Sequence, residues 1–188
     1  MDDILEHFRQ TGALLEGHFI LSSGLHSPNY LQCALALRHP ADANRFGVAI
    51  AERAQGLRIE TVASPAIGGL VIGFAVAQAL KVPFIWTERV DGQMTLRRGF
   101  SVTPAQNIMV VEDVITTGGS TRECISALEA NGGKVVFASS IIDRSNGTAD
   151  VGKPRVSLVE MDVPSYKRED CPMCARADIA EKPGSRER

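Results

Sequence analysis

Four short apolar runs recur through the middle of the chain, at 61–63, 83–86, 108–111 and 135–142. They are largely continuous rather than alternating apolar with polar. That pattern suits strands buried on both faces. Helical stretches separate them. Residues 69–80 are small and apolar, and residues 120–131 end at Gly132-Gly133, a stop signal for a helix. Strands alternating with helices imply a parallel sheet with helices on both faces. Upstream, residues 2–13 place Ile4, Leu5, Phe8 and Ala13 at helical spacing. A short strand at 17–21 turns at Ser22-Ser23-Gly24, and 42–54 reads as a helix with Phe46, Ile50 and Ala54 on one face.

One connection stands apart: Val110-Val111-Glu112-Asp113-Val114-Ile115-Thr116-Thr117-Gly118-Gly119-Ser120. An apolar strand is read to end in two acids, and a hydroxyl- and glycine-rich loop leads into a helix. In a parallel sheet, ligands bind beyond the carboxyl ends of the strands. Gly118 and Gly119 let backbone N–H groups approach a ligand, and the helix start adds a positive dipole end. Thr116, Thr117 and Ser120 add hydroxyls, completing a cradle for a monophosphate. Ionised carboxylates only accept hydrogen bonds, so Glu112 and Asp113 suit the hydroxyls of a ribose. There is no Gly-Lys-Ser/Thr of a Walker loop and no Gly-x-Gly-x-x-Gly.

The bulk properties narrow the function classes. The 188 residues suggest one domain, 1–188, with a tail at 165–188 made irregular by Pro172, Pro183 and Gly184. A net charge of −2 gives no basic footprint for nucleic acid. No apolar run reaches the roughly 18 residues needed to span a bilayer. The opening Met1-Asp2-Asp3 lacks the positive region of a secretory signal. The expected compartment is the cytoplasm, without membrane or nucleic-acid partners. Of the four cysteines, only Cys171 and Cys174 have ligand spacing. One Cys-x-x-Cys supplies two of the four ligands a zinc site needs, and the histidines lie far upstream. The expectation is therefore free thiols in a tail, with zinc or redox chemistry as the alternative.

The 110–120 string resembles the phosphoribosyl pyrophosphate motif of type I phosphoribosyltransferases, with Glu112-Asp113 in place of the usual Asp-Asp. Phe19-Ile20-Leu21-Ser22-Ser23-Gly24-Leu25-His26-Ser27-Pro28 resembles the N-terminal loop of the orotate enzymes of that family. Asp143-Arg144 resembles the position from which an arginine grips the orotate carboxylate. The resemblance runs from about residue 4 to 170 and extends to the Cys-Pro-x-Cys tail. It implies an α/β fold of that type: a mainly parallel central sheet flanked by helices, with a small N-terminal hood. It also implies transfer of phosphoribosyl to orotate, giving orotidine 5′-monophosphate in pyrimidine biosynthesis.

The site residues follow from the same resemblance. Glu112, Asp113, Val114, Ile115, Thr116, Thr117, Gly118, Gly119 and Ser120 would bind phosphoribosyl pyrophosphate. Ala66, Ile67 and Gly68, within Ser64-Pro65-Ala66-Ile67-Gly68-Gly69, would meet the diphosphate through backbone amides. Thr116, Arg144, Ser22 and Ser23 would hold orotate. Residues 88–100 match a mobile catalytic loop shared across a homodimer. Here that loop has no lysine or histidine, only Arg89, Arg97 and Arg98, which cannot donate a proton at neutral pH and would act by charge. Asp113 would sit near the developing positive charge. No protein metal ligands are expected; Mg²⁺ would come with the substrate diphosphate. The alternatives are the same reaction on a purine or uracil, and a regulator that keeps the fold to sense phosphoribosyl pyrophosphate.

Overall fold

The computed structural model describes residues 2–21 and 23–183. The chain gathers into two compact units, one of residues 37–161 and one of the first 36 residues with the chain from Asp162 onward.

The larger unit is built on six strands in the order β5-β4-β3-β6-β7-β8. These are β3 (Thr61–Pro65), β4 (Phe84–Val90), β5 (Gln93–Leu96), β6 (Asn107–Ile115), β7 (Lys134–Asp143) and β8 (Arg155–Glu160). All neighbours run parallel except β5, which folds back antiparallel on β4. Three helices cover the sheet: α3 (Pro40–Arg53), α4 (Leu70–Leu80) and α5 (Gly119–Ala130). On one face, Ile108 and Val110 join Cys124, Ile125 and Leu128 of α5 in a buried apolar cluster. On the other, α4 lies so close that a methyl on Gly73 would sit 2.1 Å from Ser64 Oγ of β3. A methyl on Gly47 of α3 would fall 2.7 Å from the Ala75 backbone of α4. Small residues thus set the helix spacing, which explains why 69–80 reads as small and apolar.

From β3 the chain moves outward to β4 and β5, then returns to lay β6 on the other side of β3. The carboxyl ends of β3 and β6 therefore flank a topological switch point, where open α/β sheets place their ligands. β6 is longer than the apolar run 108–111 suggests. It continues through Glu112 and Asp113 to Ile115, because its pairing with β7 persists to the register Ile115↔Asp143. The acid pair is therefore in the strand, and the loop proper is Thr116, Thr117 and Gly118.

The smaller unit holds α1 (Asp2–Gln10), β1 (Leu14–Ile20), β2 (His26–Leu31) and α2 (Cys33–Ala36). β1 and β2 form an antiparallel hairpin. The C-terminal segment carries more order than its prolines suggest. It has a 3₁₀ turn at Arg168–Asp170, a helical turn α6 at Pro172–Ala175, and bridges to both strands of the hairpin, at His26↔Tyr166 and Phe19↔Glu181.

Candidate active site

At the switch point lies a polar cleft of about 460 Å³. Its floor is the end of β6, one wall is the turn after β3, and the other is the start of α5. Glu112, Asp113, Val114, Ile115, Thr116, Thr117, Gly118, Gly119 and Ser120 all line it, as do Ala66 and Gly68. The structure thus brings together nearly the whole predicted sugar and phosphate set. Ile67 is the exception: its side chain is 83% exposed and does not line the cleft.

The loop's geometry follows from its residues. Gly118 is left-handed (φ +75), and an added methyl there would meet Val151 at 2.9 Å. As N-cap of α5 it has no side chain to offer, and no side chain caps the helix. The first-turn N–H groups, which lack partners within the helix, are left for an anion, and the helix dipole favours one. Arg122, which sequence reasoning passed over, holds this loop: its Nη1 donates to Thr117 O at 3.0 Å and to Asp150 O. Opposite, Gly68 passes so near the acid pair that a methyl there would lie 2.7 Å from Asp113 Oδ1.

Both acids are shifted above their ordinary range. Glu112 is buried, and burial, reinforced by the neighbouring Asp113 carboxylate, pushes its pKa up to about 9. Burial also raises Asp113, although the Val114 N–H, donating to Oδ1 at 2.9 Å, pulls the other way. The expectation of two ionised acceptors is therefore corrected for the unliganded protein, in which Glu112 keeps its proton at neutral pH. Close by, burial pushes the Cys124 thiol up to about 12, so it is no nucleophile.

The segment 88–100 is a structured hairpin in which β4 and β5 pair from Thr87↔Leu96 to Val90↔Gln93. Arg89 reaches the cleft, where it pairs with Glu123 of α5 and donates to Gly92 O at 2.9 Å. Arg97 and Arg98 do not line the cleft. Glu88 holds both, at 3.8 Å from Arg97 Nη1 and in a two-point contact with Arg98. The hydrogen bonds from Arg98 and Trp86 hold the Glu88 carboxyl below the usual range.

Arg144 follows β7 directly, and its N–H donates to Ile115 O at 2.8 Å, which fixes it beside the end of β6. It does not line the cleft. Its neighbour Asp143, fully buried, accepts from Arg155 Nη1 at 2.6 Å, Ser145 N at 2.7 Å, Ser145 Oγ at 2.6 Å and Gly147 N at 3.0 Å. Burial alone would raise its pKa, but the bonds from Ser145 and the Arg155 pair outweigh it and hold the carboxyl below its ordinary value. Ser23 is exposed in the turn after β1, and Ser22 lies outside the described residues.

A parallel strand that carries an acid pair near its end at the switch point and runs through a hydroxyl-glycine loop into a helix start is the arrangement of a type I phosphoribosyltransferase. The solved adenine phosphoribosyltransferase of Thermoanaerobacter pseudethanolicus shares this fold, with a TM-score of 0.61 at 17% identity over 71% of this chain and 88% of that one. No family model matches the chain. The chain is 48% identical to the orotate phosphoribosyltransferase of Pelotomaculum thermopropionicum, over 98% of this chain and 97% of that protein. It superposes on the crystal structure of orotate phosphoribosyltransferase from Aeropyrum pernix with a TM-score of 0.68 and 27% identity, covering 84% of this chain and 93% of that one. The chain belongs to the orotate phosphoribosyltransferase family.

Proposed function

We propose that this enzyme joins orotate to phosphoribosyl pyrophosphate, giving orotidine 5′-monophosphate and pyrophosphate on the de novo route to pyrimidine nucleotides. The observation that carries the reading is the cleft itself, with acids on the floor, an uncapped helix start on one wall and the Gly68 turn on the other. The family to which the chain belongs supplies the base.

In the reaction the anomeric carbon exchanges its bond to a pyrophosphate oxygen for a bond to a ring nitrogen of the base, and the proton of that N–H is released with the departing pyrophosphate. Positive charge develops on the ribose ring as the first bond stretches, as in glycoside chemistry. No covalent nucleophile is needed; the work is alignment and charge. Thr116, Thr117, Gly118, Gly119 and Ser120 hold the 5′-phosphate. Glu112 and Asp113 take the ribose hydroxyls, with Asp113 beside the developing charge. Ala66, Ile67 and Gly68 offer backbone amides to the diphosphate, so Ile67 needs no side chain in the cleft. Arg89 meets the departing pyrophosphate, and Arg144 grips the orotate carboxylate with its planar fork, with Thr116 between phosphate and base.

The cleft's donors toward a cation are carboxylate and hydroxyl oxygens, which suit Mg²⁺. The substrate diphosphate would hold the ion, with Asp113 the carboxylate nearest the Gly68 turn. Bound there, Mg²⁺ supplies charge neutralisation of the diphosphate. We further propose a homodimer in which the 88–100 hairpin is shared across the interface, its Arg97 and Arg98, which Glu88 holds and which do not line their own cleft, serving the neighbouring site. The cytoplasm is the proposed compartment; among the described residues no helix is long and apolar enough to cross a membrane.

The test is a spectrophotometric assay of orotate loss with phosphoribosyl pyrophosphate and Mg²⁺, run beside adenine, hypoxanthine and uracil. Loss of orotate alone is expected. Turnover of another base in its place would overturn the role of Arg144. Binding of phosphoribosyl pyrophosphate with no turnover of any base would identify a sensor.

A further inference from the structure

Cys171 and Cys174 are free thiols, as expected, but they stand in an ordered turn beside two histidines that lie far upstream in the sequence. His18 from β1, His26 from β2 and the two cysteines of the α6 turn bring one donor atom each within 4.8 Å of one another. From this cluster we propose a structural zinc site, Cys₂His₂, that ties the C-terminal segment to the hairpin.

The distances have the scale of a coordination sphere. Cys171 Sγ and Cys174 Sγ lie 3.6 and 3.7 Å from His18 Nε2, and Cys174 Sγ lies 3.4 Å from His26 Nδ1. With Zn–S near ~2.3 Å and Zn–N near ~2.0 Å, the edge of a tetrahedron between sulfur and nitrogen is roughly 3.5 Å. The two ring nitrogens, 2.6 Å apart, must open by several tenths of an ångström to take the ion.

The surroundings are those of a ligand set. His18 Nδ1 donates to Asp178 O at 3.0 Å. That bond fixes the tautomer and aims the Nε2 lone pair at the cluster, as the outer partner of a zinc histidine does. The backbone is built around the same residues. His26 N and O both bond Tyr166 at 2.8 Å, and Glu181 N donates to His18 O at 2.8 Å. Cys171 and Cys174 stand three residues apart on one helical turn and face the same way. His18, His26 and Cys171 are buried. Binding Zn²⁺ releases two thiol protons to solvent, so two thiolates and two neutral imidazoles leave the site uncharged. Burial tolerates that, and the soft sulfur and imidazole donors favour zinc over magnesium.

None of the four lines the cleft, so the role is to hold the fold. The full-length, untagged protein, purified without chelator, should carry one zinc per chain by plasma mass spectrometry. Cys171→Ser with Cys174→Ser should reduce zinc to background and lower Tm. Should that variant fail to fold, wild-type protein stripped of metal and titrated with Co²⁺ keeps the question open to test. It should develop the intense visible bands of tetrahedral, thiolate-bound cobalt at one equivalent. Metal-free wild-type protein that stays colourless with Co²⁺, a Cys171–Cys174 disulfide in the native protein, or full zinc retention in the double variant would each overturn the site.

Discussion

Replacing Glu112 with glutamine should change how stability depends on pH, because glutamine cannot titrate. Glu112 holds its proton to about 9 in the folded protein, against an ordinary value of 4.5. Between those values the folded state binds one more proton than the unfolded chain, so stability declines as pH rises. The contribution is fully present below the lower value and is lost as pH climbs to the upper one. Its slope is about 1.4 kcal/mol per pH unit, or roughly 2.7 kcal/mol between about pH 6 and about pH 8. At ~2–4 °C per kcal/mol for a chain this long, that is a fall of roughly 5–11 °C in Tm. Thermal melts of the unliganded wild type and Glu112→Gln across that window measure it. The wild type should lose Tm with rising pH by this amount relative to the variant, and the variant should be the more stable at the alkaline end. Parallel pH profiles would refute the buried, protonated Glu112. The variant should also lose transferase activity, since its amide keeps one neutral acceptor oxygen but cannot become the charged, two-oxygen acceptor proposed for the ribose hydroxyls.

Other outcomes follow from the site and its supports. Asp143→Asn leaves Arg155 buried without its counter-charge and should cost ~3–5 kcal/mol in urea unfolding. In the wild type the lowered pKa of Asp143 adds stability above its ordinary value of 3.8 that disappears as pH falls below it. Gly68→Ala pushes a methyl at the Asp113 carboxylate and should raise KM for phosphoribosyl pyrophosphate while leaving Tm nearly unchanged, by steady-state kinetics and melting. Arg144→Ala removes a charge-assisted fork and should cut kcat/KM for orotate by ~10²-fold, with phosphoribosyl pyrophosphate binding retained by calorimetry. Unchanged orotate kinetics would move the base contact elsewhere.

What the sequence made legible was what local pattern encodes. The buried parallel strands announce themselves as apolar runs, and the 110–120 string carries its phosphate loop intact. β2, β5 and β8 were harder to see. β2 contains Pro28, β5 reads Gln-Met-Thr-Leu with polar positions, and β8 opens on Arg155 after a Gly/Pro-containing stretch. Their pairing comes from neighbours rather than from their own composition. The end of β6 was misplaced because two acids look like a strand end, whereas pairing with β7 carries the strand past them. The charged partner of Asp143, Arg155, lies 12 residues away, and the histidines beside Cys171 and Cys174 about 150, so local pattern does not join them. The charge state of Glu112 was missed for the same reason: burial comes from packing, and a formal charge does not.

The Asp143 cage has a consequence for how such an enzyme could change its taste in bases. Three hydrogen bonds and a buried ion pair from β8 fix the residue immediately before Arg144. On the proposed role of Arg144, the position that meets the base thus takes its placement from one anchored neighbour, tied both to the sheet through Arg155 and to the loop beyond through Ser145 and Gly147. A replacement at 144 that spares Asp143, Ser145, Gly147 and Arg155 leaves that anchor whole. On that proposal selectivity is confined to a socket, while the residues proposed to handle the sugar and its phosphates serve every base that socket could accept.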